Sequence, residues 1–169
     1  AMARNFAQFG RLPEGPTSEV DLADLARETM RATLPPSMTQ ELIAEPDVPH
    51  VRGQHDALMR ALANVLLNSV DATSGRGHIT TRVSSRNGEV TLAVRDNGIG
   101  IAAEALDRIW EPYVTAKTGG TGLGLAIVKQ TVRAHGGHVS ATSAPGEGTE
   151  IRLHFPAYSA ETTATAGEE

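Results

Sequence analysis

The chain has 169 residues, 40% of them hydrophobic, with a formal net charge of −5 and no cysteine. That length supports one domain with a substantial core. The acidic balance gives no electrostatic support for nucleic-acid binding, and the lack of cysteine excludes a disulfide framework and thiolate chemistry, fitting a reducing cytoplasm.

In chain order, Phe6 and Phe9 sit at helical spacing within residues 3–10, before Pro13, Gly15 and Pro16 break the pattern. Residues 1–16 are therefore expected to be the end of a longer helix and a linker, and the opening Ala1-Met2 reads as an expression scar, with the chain expected to be a fragment of something longer. Thr17 or Ser18 is expected to cap the next helix, with Asp21 in its first turn. Val20, Leu22, Leu25, Ala26 and Met30 would form its apolar stripe, and Pro35-Pro36 its end. Short strands are expected over 39–44 and 48–51. Residues 56–72 carry the clearest helical period, through Leu58, Leu62, Val65, Leu66 and Val70.

Ile79, Thr81 and Val83 alternate as a strand, and Val90, Leu92 and Val94 as its partner. Asn87-Gly88 between them is a hairpin signal. A short helix is expected over 103–109, then Trp110-Glu111-Pro112-Tyr113 and a small, polar stretch that suggests a lid. The next helix should start at Thr121 or Gly122 and run to Ala134, ended by His135-Gly136-Gly137. Strands over 139–143 and 149–155 should be joined through Pro145-Gly146-Glu147-Gly148. After Pro156 the Ser/Thr/Ala/Glu tail, residues 157–169, has too few large apolar groups to fold. No apolar run approaches the roughly 20 residues of a membrane span, and there is no signal-peptide pattern.

Three stretches carry chemistry. Lys117 to Lys129 passes from a glycine run into an apolar-periodic helix. Gly122 and Gly124 at a helix start cost about 0.5–1 kcal/mol against alanine. Close approach to a phosphate, held by the unpaired N–H groups of the helix start, would explain them. An ordinary flexible loop is the plainer alternative. Asn64 and Asn68 lie one turn apart beside core leucines, although asparagine is a poor interior helix former. They read either as a solvated polar edge or as oxygen ligands for Mg²⁺. Asp96 sits where a strand opens into Asn97-Gly98-Ile99-Gly100. It reads either as a common turn or as a carboxylate accepting from an exocyclic amine.

Taken together, Asn64-x-x-x-Asn68, Asp96-x-Gly98-x-Gly100, Trp110-Glu111-Pro112-Tyr113 and Gly120-x-Gly122-x-Gly124 occur in the order of the asparagine, first glycine, aromatic and second glycine boxes of one family. The chain resembles the catalytic ATP-binding domain of bacterial sensor histidine kinases over about residues 17–156. The lid wording Glu111-Pro112-Tyr113-Val114-Thr115-x-Lys117 looks most like the nitrogen-regulation class. Residues 6–13 are similar to the tail of those kinases' dimerisation helix.

The resemblance implies an α+β fold: a two-layer α/β sandwich of the GHKL, or Bergerat, type, with a mixed sheet packed on helices and an ATP lid. It implies ATP and Mg²⁺ as ligands. Asn68 would ligate the metal, with Asn64 assisting it or the phosphates. Asp96 would hold the adenine amine, Gly98 and Gly100 would shape the base pocket, and Thr149 would place a hydroxyl near it. Gly120, Thr121, Gly122, Leu123 and Gly124 would wrap the phosphates, joined by Lys117. Trp110 and Tyr113 replace the family's usual phenylalanines.

Hydrolysing members of the fold carry a glutamate one turn before the magnesium asparagine. Here that position is Asn64, whose amide cannot accept a proton, which disfavours hydrolysis and leaves phosphoryl transfer, a matter of positioning and charge neutralisation. None of the six histidines lies in a phosphoacceptor motif; His55-Asp56 is followed by Ala57-Leu58-Met59-Arg60, without the family's Asn/Thr-Pro. All six are expected in structural or surface roles, His135 in a helix cap. The partners implied are ATP, an upstream dimerisation and phosphoacceptor domain, a response regulator, and a second copy of the full-length protein. The expected location is cytoplasmic, compatible with a membrane-anchored parent. The competing reading is a nucleotide-binding module without histidine kinase activity, such as an anti-sigma serine kinase or a partner-binding domain.

Overall fold

The computed structural model describes residues 16–112 and 124–159. Five strands form one sheet in the order β2 (Thr39–Ala44), β4 (His78–Arg86), β5 (Glu89–Asp96), β7 (Thr149–Pro156) and β6 (His138–Ser143). The pair β2–β4 is parallel and the others antiparallel. A parallel pair needs a crossover, and the chain between β2 and β4 supplies it with helix α2 (His55–Ala72). Helices α1 (Leu22–Thr33) and α4 (Gly124–Ala134) flank α2, and a short α3 (Ala103–Leu106) precedes α4.

Alternation along the strands gives the sheet two unlike faces. Val90, Leu92 and Val94 of β5, and Ile151, Leu153 and Phe155 of β7, are buried in the same core as Leu58, Leu62, Val65 and Leu66 of α2. Each buried leucine or valine contributes roughly 1.5–3 kcal/mol. The other face carries Glu89, Thr91, Arg95, Glu150, Arg152 and His154, all at least partly open to solvent. On this open face, burial is the largest influence lowering the pKa of His154 from the ordinary imidazole value. His138 and Arg152 add to the lowering, and Glu89 opposes it.

Most expected elements appear where periodicity placed them. Asn87 and Gly88 take φ of 53° and 78° in a two-residue turn between the paired Arg86 and Glu89, the left-handed pair that suits strand twist. Four expectations need correction. Thr17 and Ser18 do not cap α1: Asp21 does, its carboxylate accepting from Ala23 N at 2.9 Å and Asp24 N at 3.2 Å. Val20 is accordingly not on the helix but in β1 (Ser18–Val20). The second short strand is β3 (Val51–Gly53), shifted from 48–51, and it pairs antiparallel with β1 in a separate two-stranded sheet. Helix α3 stops at Leu106, and turn hydrogen bonds carry the chain on to Glu111. At the other end, Ala157 N donates to Gly88 O at 2.9 Å and Tyr158 N to His50 O at 2.8 Å. The fixed backbone thus extends past the expected end at 156.

The helix expected over residues 3–10, and the stretch 113–120 expected as a lid, lie outside the described residues.

One histidine ties the helix layer together. Gln54, at the N-cap of α2, makes no side-chain cap bond. His135, just past α4, fills the gap: its Nε2 accepts from Gln54 N at 3.1 Å, while Nδ1 lies 2.7 Å from Thr131 O. The expected capping role of His135 is therefore extended to a bridge between two helices. A Cβ on Gly53 would come within 2.5 Å of the His135 ring, so that glycine makes room for the imidazole. His135→Ala should lower unfolding free energy by about 2 kcal/mol, two hydrogen bonds at roughly 1 kcal/mol each, measured by urea denaturation. Gly53→Ala should be less costly in the His135→Ala background than alone; equal costs in both would remove the proposed close approach.

Candidate functional site

The site grows from the end of β5. Asp96 is only 5% exposed, and a buried carboxylate is costly unless hydrogen-bonded. Its Oδ1 accepts from Gly98 N at 2.9 Å and from Thr149 N at 3.2 Å. The first bond closes the turn after β5, and the second fastens that turn to the start of β7.

Two further elements clamp the same turn. Ile99 N donates to Ala72 O at 3.1 Å, at the end of α2, and Gly146 N donates to Ile99 O at 2.7 Å from the hairpin before β7. A Cβ on Gly98 would lie 2.5 Å from Ala72 O. Gly100 has φ of 76°, and a Cβ there would land on the Ala144 carbonyl. Glycine is thus required at both positions by neighbouring backbone, and by left-handed conformation at Gly100. Asn97 turns the other way, its Oδ1 accepting from His78 N at 2.7 Å.

Thr149 is buried at 7%. Its Oγ1 lies 2.8 Å from Ser143 Oγ. Ser143 Oγ also accepts from Ile101 N at 2.7 Å and donates to Gly148 O at 2.7 Å. Ser143 was not legible as a site residue: an isolated serine in a strand carries no signal, and only the folded register sets it against Thr149.

Asp96, Gly98, Gly100 and Thr149 are therefore brought together. Asn64 and Asn68 are half-buried on α2, and Ala72, one turn past Asn68, makes the contact with the Asp96 turn. The asparagine edge thus runs up to that turn. Gly124 opens α4 and is exposed. Unlike Gly98 and Gly100, it has nothing among the described residues within 4 Å of where its Cβ would lie. Packing against those residues does not account for it. Lys117, Gly120, Thr121, Gly122 and Leu123 lie outside the described residues. Trp110 packs on the core edge. A separate cleft between residues 107–112 and α4, lined by Trp110, Lys129 and Arg133, holds none of the expected site residues.

Chemically, the described part offers a buried carboxylate with one oxygen used by two backbone donors. A polar edge of carboxamides runs up to its turn along α2, and α4 carries the exposed Gly124 at its first described position. Such a set suits a ligand with an amine-bearing ring at one end and anionic oxygens at the other.

Residues 53–159 match the family described as histidine kinase-, DNA gyrase B- and HSP90-like ATPase. Among curated proteins, the chain is 35% identical over 141 residues to the sensor histidine kinase ZraS of Escherichia coli, covering 81% of this chain and 30% of ZraS. It is 32% identical over 170 residues to the nitrogen regulation protein NtrY of Azorhizobium caulinodans, covering 92% of this chain and 21% of NtrY. The chain thus spans less than a third of the length of these relatives. Among solved structures, full-length ShkA in complex with AMPPNP superposes with a TM-score of 0.82 at 29% identity, over 94% of this chain and 35% of ShkA. The mycobacterial sensor histidine kinase MprB gives 0.73 at 28% identity, over 84% of this chain and 98% of the MprB chain. With a mixed sheet packed on helices and a matched family region that takes in α2, the Asp96 turn and β7, the chain belongs to the histidine kinase-, DNA gyrase B- and HSP90-like ATPase family and has its GHKL fold.

Proposed function

We propose that this domain binds ATP with Mg²⁺ and transfers the γ-phosphate to a histidine on a dimerisation domain of the same protein, for relay to a response regulator. The observation that carries this reading is the buried Asp96 carboxylate. Its Oδ1 is used by Gly98 N and Thr149 N, and neither of these bonds involves Oδ2. A carboxylate so held can accept from the adenine amine, which a guanine oxygen at the same place cannot satisfy. The likeness to ZraS, NtrY and MprB, each named for sensor or regulatory roles, supports the kinase context.

The donor set on α2 fits the metal. Mg²⁺ takes oxygen ligands and keeps several waters, sharing phosphate oxygens with the protein. Carboxamide oxygens from Asn68 and Asn64, one turn apart, suit that chemistry. When bound, the ion neutralises the charge on the transferring phosphoryl group. The chain's own part is to position: Asp96 and Thr149 fix the base, and the start of α4, from Gly124, offers N–H groups to the phosphates. At position 64 the chain presents an amide, which cannot act as a base toward water. Transfer to an imidazole nucleophile fits that amide better than hydrolysis does.

Three measurements test this. In Asp96→Asn the amide still offers Oδ1 to the two backbone N–H groups, but an NH₂ replaces Oδ2. ATP affinity should fall roughly 10- to 100-fold, the size of a hydrogen bond to a charged group, and the preference over GTP should disappear. Unchanged preference would remove Asp96 as the base-reading group. Asn68→Ala should weaken Mg-ATP binding at least about tenfold while leaving metal-free ATP binding nearly unchanged; equal effects on both would exclude it as a metal ligand. Labelled ATP incubated with this domain and a separately made dimerisation domain should label a histidine of the latter. If nucleotide binds and no acid-labile label is transferred, the binding-module reading takes its place.

A further inference from the structure

The open face of the sheet, remote in side-chain direction from the nucleotide site, carries a cluster that the proposed function does not use. Register builds it. His138 of β6 stands directly opposite His154 of β7, and His154 directly opposite Thr91 of β5. Glu89 lies two residues before Thr91, on the same face. The two imidazoles stack with centroids 4.3 Å apart and planes 12° from parallel. Both Nδ1 atoms turn toward one carboxylate: His154 Nδ1 is 3.3 Å from Glu89 Oε1, and His138 Nδ1 is 3.8 Å from Glu89 Oε2. One ligand atom from each of the three residues falls within 4.8 Å of the others.

We propose that Glu89, His138 and His154 form a binding site for a divalent transition-metal ion of the zinc type. Ligand bonds of 2.0–2.1 Å in tetrahedral array put neighbouring ligand atoms about 3.3 Å apart. The Glu89 Oε1–His154 Nδ1 separation already has that value; His138 Nδ1, measured to Oε2, needs to close by about half an ångström, and its ring must turn out of the stack with His154 so that both lone pairs meet at the ion. His138 is the group that can move, with its side chain 60% exposed against 14% for His154. Two imidazoles and one carboxylate favour zinc, cobalt, nickel or copper over magnesium or calcium, which prefer all-oxygen sets. The fourth position faces solvent, which also gives the ion its entry path.

A supporting partner strengthens the assignment. Metal-bound histidines donate their other ring N–H to a fixed acceptor, which sets the tautomer. His154 Nε2 lies 2.9 Å from Ser140 Oγ. Ser140 Oγ is itself oriented by Arg152 Nε at 3.0 Å. With Nε2–H directed to Ser140, the Nδ1 lone pair faces the Glu89 carboxylate and Thr91 Oγ1, which lies 3.0 Å away; an ion on Nδ1 takes the place of that hydroxyl contact. The ion would then staple β5, β6 and β7 together at one end of the sheet.

The test uses the full chain, stripped with chelator, without nucleotide because ATP itself binds zinc. Zinc chloride is titrated calorimetrically at about pH 7.5, where an ordinary imidazole is neutral, and Co²⁺ is followed by its visible absorption. The expected result is one ion per chain and a tetrahedral Co²⁺ spectrum. His138→Ala and Glu89→Gln should each weaken zinc at least about tenfold, and ATP affinity measured without zinc should stay unchanged in His138→Ala. His138 is exposed, so this variant should keep the native melting temperature. His55→Ala, which removes the imidazole beside Glu28 and Asp56, should leave zinc affinity unchanged. Absence of binding, native affinity in His138→Ala, or loss of zinc in His55→Ala instead would each overturn the proposal. None of these outcomes bears on ATP binding, which is read separately.

Discussion

A carboxylate held out of water by backbone donors organises one end of this fold. Asp96 is 5% exposed, and burying an unpaired charge there would cost several kcal/mol. The donors that remove this cost come from two distances in sequence: Gly98 is two residues away and Thr149 is 53. The local bond shapes the turn, and the distant bond exists only once β7 has paired with β5. The carboxylate is therefore satisfied only in the completed sheet, which couples the geometry of the site to the formation of the core beneath it. The end of α2 and the hairpin before β7 grip the same turn through Ala72 and Gly146.

The elements that periodicity can specify were legible in the sequence. The helix over 56–72, the Asn87-Gly88 hairpin and the pair β6–β7 follow from apolar spacing and turn chemistry. The misplaced elements were those whose state is decided by something distant. Ser18–Val20 is too short to show alternation, and its partner strand begins at Val51. With Thr17, Ser18 and Asp21 all competent caps, the pairing of residues 18–20 leaves Asp21 as the first free to cap the helix. His135 was placed at a helix end, but its bond to Gln54, 81 residues away, had no local signature.

The candidate site divides in the same way. Residue types and order exposed Asp96, Asn64 and Asn68. The reason for glycine at 98 and 100 was only half legible: both are fixed by protein backbone, Ala72 and Ala144, whatever a base ring also requires. Gly124 is the reverse case, a glycine for which neighbouring described residues give no steric reason. The hydroxyl pair Ser143 and Thr149 could not be read from one chain, since strand register alone sets the two oxygens face to face.

Strand parity explains how one sheet can carry two chemistries without mixing them. Glu89 and Asp96 are seven residues apart on β5, and Thr149 and His154 are five apart on β7. Odd separations put each pair on opposite faces. Asp96 and Thr149 therefore look toward the helix layer, while Glu89 and His154 look away from it. No side chain can serve both sites. The two sites nevertheless share the backbone of β5 and β7, whose register runs unbroken from Glu89↔Pro156 to Asp96↔Thr149. An ion at one end of that ladder would restrain the same hydrogen-bonded pair that delivers Thr149 N to Asp96 at the other. Any influence between the sites must then pass through strand stiffness and not through shared ligands. It would act on how firmly the carboxylate is held, leaving the identity of its donors unchanged.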